Sequence, residues 1–129
     1  MEIGFFTMPI HPIDKDYKKS LSEDRQAFLL ADKIGFSEAY CGEHVTDSAE
    51  NITSSALFIA SIAASTKNIR LGTGTVNMPN SHPAAIAGQI AMLDHMLDGR
   101  FNFGISPGGL ASDAEVFGNL DKDLSLIHI

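Results

Sequence analysis

The 129-residue sequence contains one cysteine, no tryptophan and two tyrosines, and its 9 Lys and Arg are outnumbered by 16 Asp and Glu. Each scarcity excludes something. The lone Cys41 has no partner for an intramolecular disulfide, and no basic segment followed by an apolar stretch and a small-residue cleavage site opens the chain, so a reducing, cytoplasmic setting is expected. A net charge of −7 repels phosphate backbones and anionic headgroups, which argues against nucleic acid and membrane surfaces as partners. No apolar run approaches the roughly 20 residues that cross a bilayer. The dinucleotide fingerprint G-x-G-x-x-G, the Walker loop, the G-x-S-x-G elbow and H-E-x-x-H are all missing. The five histidines, His11, His44, His82, His95 and His128, have neither metal-ligand spacing nor cysteine partners, so no metal site is expected.

What is present is an ordinary globular composition, 44% hydrophobic and 19% charged, in a length that suits one domain. Short apolar segments alternate with longer helical patterns, the order of repeated βα units around a parallel sheet. The first strand is read as Ile3 to Thr7. Ser20-Leu-Ser-Glu23 has the form of a capping box, so a helix is predicted to begin there, with Ala27, Leu30, Ala31 and Ile34 on its buried face and Gly35 as its C-terminal cap. Strand 2 is Glu38 to Gly42, and a second helix after Thr53 is expected to bury Ala56, Ile59, Ala60 and Ala63. Strand 3 is Ile69 to Val76. Ser81-His82-Pro83 then caps a third helix, with Ile86, Ile90, Leu93 and Leu97 inward and Gly99 as its stop. Strand 4 runs from Arg100 to Ser106.

The strand starts at Ile3, Glu38, Ile69 and Phe101 recur every 31 to 35 residues. This regularity predicts an α/β fold of the (β/α)8 TIM-barrel type, of which residues 1–129 supply the first four β/α units, since a complete barrel needs about 250 residues. An open doubly wound sheet is the alternative, and it lacks its glycine fingerprint here. The closing Leu124-Ser-Leu-Ile-His-Ile129 is too short for a fourth helix. The expectation is therefore one N-terminal half-barrel over 1–129, inactive alone and prone to self-association through its open edges.

In such a barrel the active site is built from the C-terminal ends of the strands. Those ends carry Met8 and Pro9, Glu43 and His44, Gly74, Thr75 and Asn77, and Ser106 through Gly109. Alternation along strand 4 puts Phe101, Phe103 and Ile105 on one face and Asn102, Gly104 and Ser106 on the other, toward the barrel interior. Small residues high in the barrel leave room for a flat ligand near Gly74, Gly104 and Gly108-Gly109; the other reading is that these glycines serve bulges and turns. His44 is the leading candidate for acid–base work, because imidazole exchanges protons near neutral pH. Glu43 and His44 are neighbours on a strand and should diverge. His82, beside Pro83, reads as a capping residue. Cys41 reads as a small buried hydrophobe.

Several segments together resemble the bacterial luciferase-like flavin-dependent monooxygenases: Met1-Glu-Ile-Gly-Phe-Phe-Thr-Met-Pro9, Gly42-Glu-His44, Leu71-Gly-Thr-Gly-Thr75, His82-Pro83 and Leu93-Asp-His-Met-Leu-Asp-Gly-Arg-Phe101. The stretch Ser106 to Gly118, with Glu50-Asn-Ile52, is most similar to the limonene monooxygenase-like members. The resemblance implies a TIM barrel that uses reduced FMN and O2 to insert one oxygen atom into a small organic substrate. It implies electrons from a separate NAD(P)H-dependent flavin reductase, and leaves a homo-oligomer open for the complete protein. His44 matches the family's functional histidine, and Gly74-Thr75 the site of its non-prolyl cis peptide beside the flavin ring. Asn77, Ser106 and Gly108 are cofactor neighbours by position. Many members have a second histidine where this sequence has Val45. Barrel phosphate sites usually follow strands 7 and 8, beyond these four units. Two relatives of other kinds stay open: an F420-dependent oxidoreductase that transfers hydride, and a flavin-binding relative without turnover.

Overall fold

The computed structural model describes residues 1–122; the Leu124–Ile129 tail lies outside them. Strands β1 (Gly4–Thr7), β2 (Glu38–Cys41), β3 (Arg70–Thr73) and β5 (Phe101–Asn102) form one parallel sheet in that order. Helices α1 (Tyr17–Ile34), α2 (Ser55–Ala63) and α3 (Pro83–Leu97) make the crossovers, and a six-residue α4 (Ala111–Val116) follows the last strand. The predicted order 1-2-3-4 is the one observed. Four parallel strands joined in sequence order by helices are the α/β arrangement expected of consecutive units of a (β/α)8 barrel.

Predicted strands 3 and 4 are each broken in two. β4 (Val76–Asn77) continues strand 3, β6 (Ile105–Ser106) continues strand 4, and these continuations pair with each other in parallel. The break in strand 3 falls at the Gly74-Thr75 peptide, which is cis. Across the break the Thr73 hydroxyl replaces the backbone ladder: it donates to the Gly104 carbonyl at 2.9 Å and accepts from the Gly104 N–H at 3.0 Å. Only glycine fits at 104, because a Cβ there would lie 2.2 Å from the Thr73 carbonyl oxygen.

The outer face of the sheet is dry. Ala39, Cys41 and Leu71 are fully buried against Phe28, Ile59, Ile62, Leu93 and Leu97, and Phe28 meets Phe5 and Phe58 edge-to-face at 5.3 and 5.1 Å. Burial raises the Cys41 thiol far above its ordinary range. The inner face differs. Glu38, Tyr40, Arg70 and Asn102 form a polar network there, with the Tyr40 hydroxyl donating to Glu38 and accepting from the Asn102 amide, whose oxygen accepts from Arg70.

Three helix expectations need correction. Helix α1 starts at Tyr17, capped by the Asp16 carboxylate on the Lys19 N–H; Ser20 is buried and donates back to the Asp16 carbonyl, while Glu23 pairs with Lys15. The buried stripe of α1 is Ser20, Asp24, Phe28 and Ala31, and Leu30 and Ile34 are exposed. A buried carboxylate concealed the stripe: Asp24 accepts from the Asn51 amide and pairs with His11. On α2 the buried set is Ser55, Phe58, Ile59, Ile62 and Ala63, rotated from the alanine-rich face, and on α3 Ile90 is only partly buried. The α3 C-cap is Asp98 at φ 52, with Gly99 next to it at φ 73.

Candidate active site

Four strand ends converge on a cavity of about 340 Å³ walled by Met8, Glu43, His44, the Gly74-Thr75 backbone, Asn77, Ser106, Gly109 and Leu110. Five of the six residues singled out in the sequence, His44, Gly74, Thr75, Asn77 and Ser106, thus share one space. Gly108 instead lines an adjacent cavity of about 110 Å³ with Asn77, Asn80 and Asp113.

Glu43 and His44 lie beyond the end of β2 and both touch the cavity, but their side chains bond to different elements. One Glu43 oxygen accepts from the Ser55 N–H at 2.9 Å and the Ser55 hydroxyl at 2.7 Å; the other accepts from the Asn77 N–H at 3.0 Å. A carboxylate at the first turn of α2 is favoured by the unpaired N–H groups of a helix start. Glu43 therefore ties α2 to β4. From Asn77 the chain of bonds continues: its side chain donates to the Glu43 carbonyl and accepts from Ser106, and Ser106 accepts from Thr75 at 2.7 Å and from the Gly108 N–H at 3.1 Å. Asn77 and Ser106 are held fast by this network.

The glycines at 74 and 104 do not leave the room expected of them. A Cβ on Gly74 would sit 2.9 Å from the Phe6 ring, and Gly104 is pressed on Thr73. Both are small because other parts of the chain approach closely. Open space lies instead at Gly109, where nothing stands within 4 Å of an added Cβ.

His44 is held between two carboxylates. Its Nδ1 lies 3.1 Å from Asp113 and its Nε2 lies 3.9 Å from Glu50. Asp113 is buried, and burial alone would raise its pKa, but the Thr46 hydroxyl, the His44 imidazole and the N–H groups of Thr46 and Val45 prevail and hold it below the usual carboxylate range. Glu50 is pushed the other way: burial raises it, the opposing pull of His44 is smaller, and Asp47 and Asp113 add like charge. An ionised Asp113 can only accept, so the contact with His44 is satisfied by the tautomer that carries a proton on Nδ1, which leaves Nε2 facing Glu50. Asp113 and Glu50 entered the sequence reading only inside motifs. Sixty-nine residues separate His44 from Asp113, and no local pattern signals such a pairing. His82 caps α3, its Nδ1 accepting from the Ala84 N–H at 3.2 Å.

Parallel βα units whose strand ends gather a clamped imidazole beside a polar cavity define the rim of a (β/α)8-type barrel. Residues 1–126 match the luciferase-like monooxygenase family, and the chain belongs to it. It is 36% identical over 118 residues to limonene 1,2-monooxygenase of Rhodococcus erythropolis, covering 92% of this chain and 30% of that protein. To 4-hydroxyprotoasukamycin monooxygenase of Streptomyces nodosus subsp. asukaensis it is 38% identical, covering 92% and 32%. The oxygenating constituent of 3,6-diketocamphane monooxygenase of Pseudomonas putida, a type II Baeyer-Villiger monooxygenase solved with FMN, superposes with a TM-score of 0.93 at 27% identity. That match covers 98% of this chain and 36% of that one. The chain spans about a third of the length of the relatives it matches. None of its helices is long and apolar enough, among the described residues, to cross a membrane.

Proposed function

We propose that residues 1–129 form the N-terminal half of a single luciferase-like barrel domain that acts as an FMN-dependent monooxygenase on a small organic substrate. The observation that carries the reading is the clamped His44 on the wall of a cavity that Gly74, Thr75, Asn77 and Ser106 also line. The small and polar lining and the open position at Gly109 suit a flat ring, so the residues fit the isoalloxazine of FMN. Gly74, Thr75, Asn77, Ser106 and Gly108 would hold the ring side. The cavity lining contains no lysine or arginine, so the phosphate would be held by residues outside it. Reduced FMN, when bound, supplies the activation of O2 that puts one oxygen atom into the substrate.

The part played by this chain is positioning and proton control. Glu43, Asn77 and Ser106 fix the wall, Asp113 fixes the imidazole, and Nε2 of His44 takes or gives the proton that the reaction displaces. The relative described as an oxygenating constituent supports a partner that delivers electrons, an NAD(P)H-dependent flavin reductase. A cytoplasmic setting belongs to the same proposal, since NAD(P)H is supplied there.

The test is made on a complete barrel carrying these residues, supplied with FMN, a flavin reductase and O2. Oxygen uptake coupled to substrate oxygenation is expected, and His44→Ala should lower turnover by about 10² or more while FMN binding persists. Binding of F420 with hydride transfer and no oxygen uptake would replace the reading, as would FMN binding without any turnover.

A further inference from the structure

We propose that Glu50 is the proton partner of His44, a positioning residue that exchanges a proton with Nε2 and keeps the imidazole ready between turnovers. This inference rests on the function proposed above and adds a residue to it. The support is geometric. Glu50 lies on the strap between β2 and α2, and its backbone forms a bridge with Ile10. On either side of it, the Ala49 carbonyl accepts from the His11 N–H and the Asn51 carbonyl accepts from the Tyr17 hydroxyl. The Asn51 amide donates to Asp24, which His11 also grips. The strap is thus held by the β1–α1 segment and by α1.

From that support the Glu50 side chain, 13% exposed, faces Nε2 at 3.9 Å, a gap that one bridging water or a small rotation of the carboxyl closes. No hydrogen-bond donor of the described residues reaches its carboxylate within bonding distance, in contrast to Asp113, which has several. The charged groups that face it are His44 and Asp47 from its own strap and Asp113 from α4. A carboxyl with little water, no donor and two like charges nearby holds its proton more tightly than an ordinary glutamate, even against the pull of His44. Asp113, ionised and saturated with donors, cannot do this; it orients the ring and holds Nδ1–H. The two carboxylates divide the work.

The exchange balances without a co-reactant. The Nε2–H bond of an imidazolium breaks as an O–H bond forms on Glu50, converting an imidazolium–carboxylate pair into imidazole and carboxylic acid with no change in net charge. The reverse step recharges the ring.

The experiment follows the Glu50 carboxyl carbon by NMR through a pH titration of the complete barrel with labelled glutamate, the signal being assigned by its loss in Glu50→Gln. The titration is expected above the ordinary glutamate range, and it should move higher again in His44→Gln, which removes the nearest positive charge. In turnover, Glu50→Gln should lower kcat by about tenfold with little change in KM and should alter the pH profile, and Glu50→Asp should recover part of the loss. An ordinary titration that ignores His44→Gln overturns the pairing whatever the turnover shows, as does a Glu50→Gln pH profile identical to that of the unaltered protein. A raised, His44-dependent titration in a barrel that never consumes oxygen would support the pairing and refute the monooxygenase reading.

Discussion

The two faces of the sheet are built on opposite plans. Outward, Phe28, Ile59, Ile62, Leu71, Ala39 and Leu97 are closed off from water, and α1, α2 and α3 cover them. Inward, Phe6 is 60% exposed, and Glu38, Tyr40, Arg70 and Asn102 satisfy one another across the strands. The helix-facing layer is finished within these four units. The inner layer has its polar bonds in place but lacks the surface that would cover Phe6, as expected where further strands close a barrel. Apolar packing dominates one side, and hydrogen bonds between polar side chains dominate the other.

The sharpest way to break this contrast is to cut one aromatic ring from each face. Phe28→Ala should cost about 3–5 kcal/mol in denaturant unfolding, because the ring is wholly buried among Phe5 and Phe58. Phe6→Ala in the 129-residue chain should cost well under half as much, and the gap should narrow in a complete barrel where Phe6 gains cover. Equal losses in the short chain would show that its inner face is already packed.

A smaller difference is expected between two glycines of the rim. Gly104→Ala drives a Cβ into the backbone oxygen of Thr73 and should destabilise by about 1–3 kcal/mol, as overpacking does. Gly42→Ala meets the far end of the Met8 side chain, which can swing away, so its loss should be smaller and its main effect a narrowed cavity. Thermal melts of the two variants compare them directly.

The smallest expected effect is electrostatic and separates Asp113 and Asp32 from Glu50. Asp32 is held low in spite of burial, by the N–H groups of Ile69, Asn68 and Lys67. Because Asp113 and Asp32 both titrate lower in the folded state, their stabilisation is complete above the ordinary aspartate value of 3.8 and is lost as pH falls through their lowered values. Glu50 has the opposite sign: its penalty is present above its raised value and is relieved as pH falls toward the ordinary 4.5. Through these groups unfolding free energy should therefore rise slightly as pH falls from neutral toward 4.5 and drop once pH falls below 3.8. In Asp113→Asn the acid drop should be shallower.

Element order and the rim were legible in the sequence because both follow from short-range pattern. The alternation of strands with helices and the His82 cap depend on spacing of a few residues. The α1 stripe was not legible, since its buried Asp24 looks like a solvent-facing charge until Asn51 and His11 are folded against it. The breaks in strands 3 and 4 escaped for a related reason. Thr73 substitutes its hydroxyl for a backbone ladder, and Ile69 to Val76 reads as one uninterrupted strand without that knowledge. The Asp113 partner of His44 lay beyond any local signal, and of the two readings of Gly74 and Gly104, ligand space or backbone need, close contacts within the chain favour the second.

The clamp on His44 also sets a requirement on folding. Asp113 reaches the histidine across 69 residues, and closing so long a loop by itself is entropically costly. The parallel ladder from β1 through β5 brings the two residues to one rim, so the clamp requires both the fourth strand and α4 to be in place. During synthesis, a nascent chain that has not yet exposed residue 113 outside the ribosome would have a histidine without its Nδ1 anchor. The orientation of His44 is thus a property of the assembled scaffold rather than of its own loop.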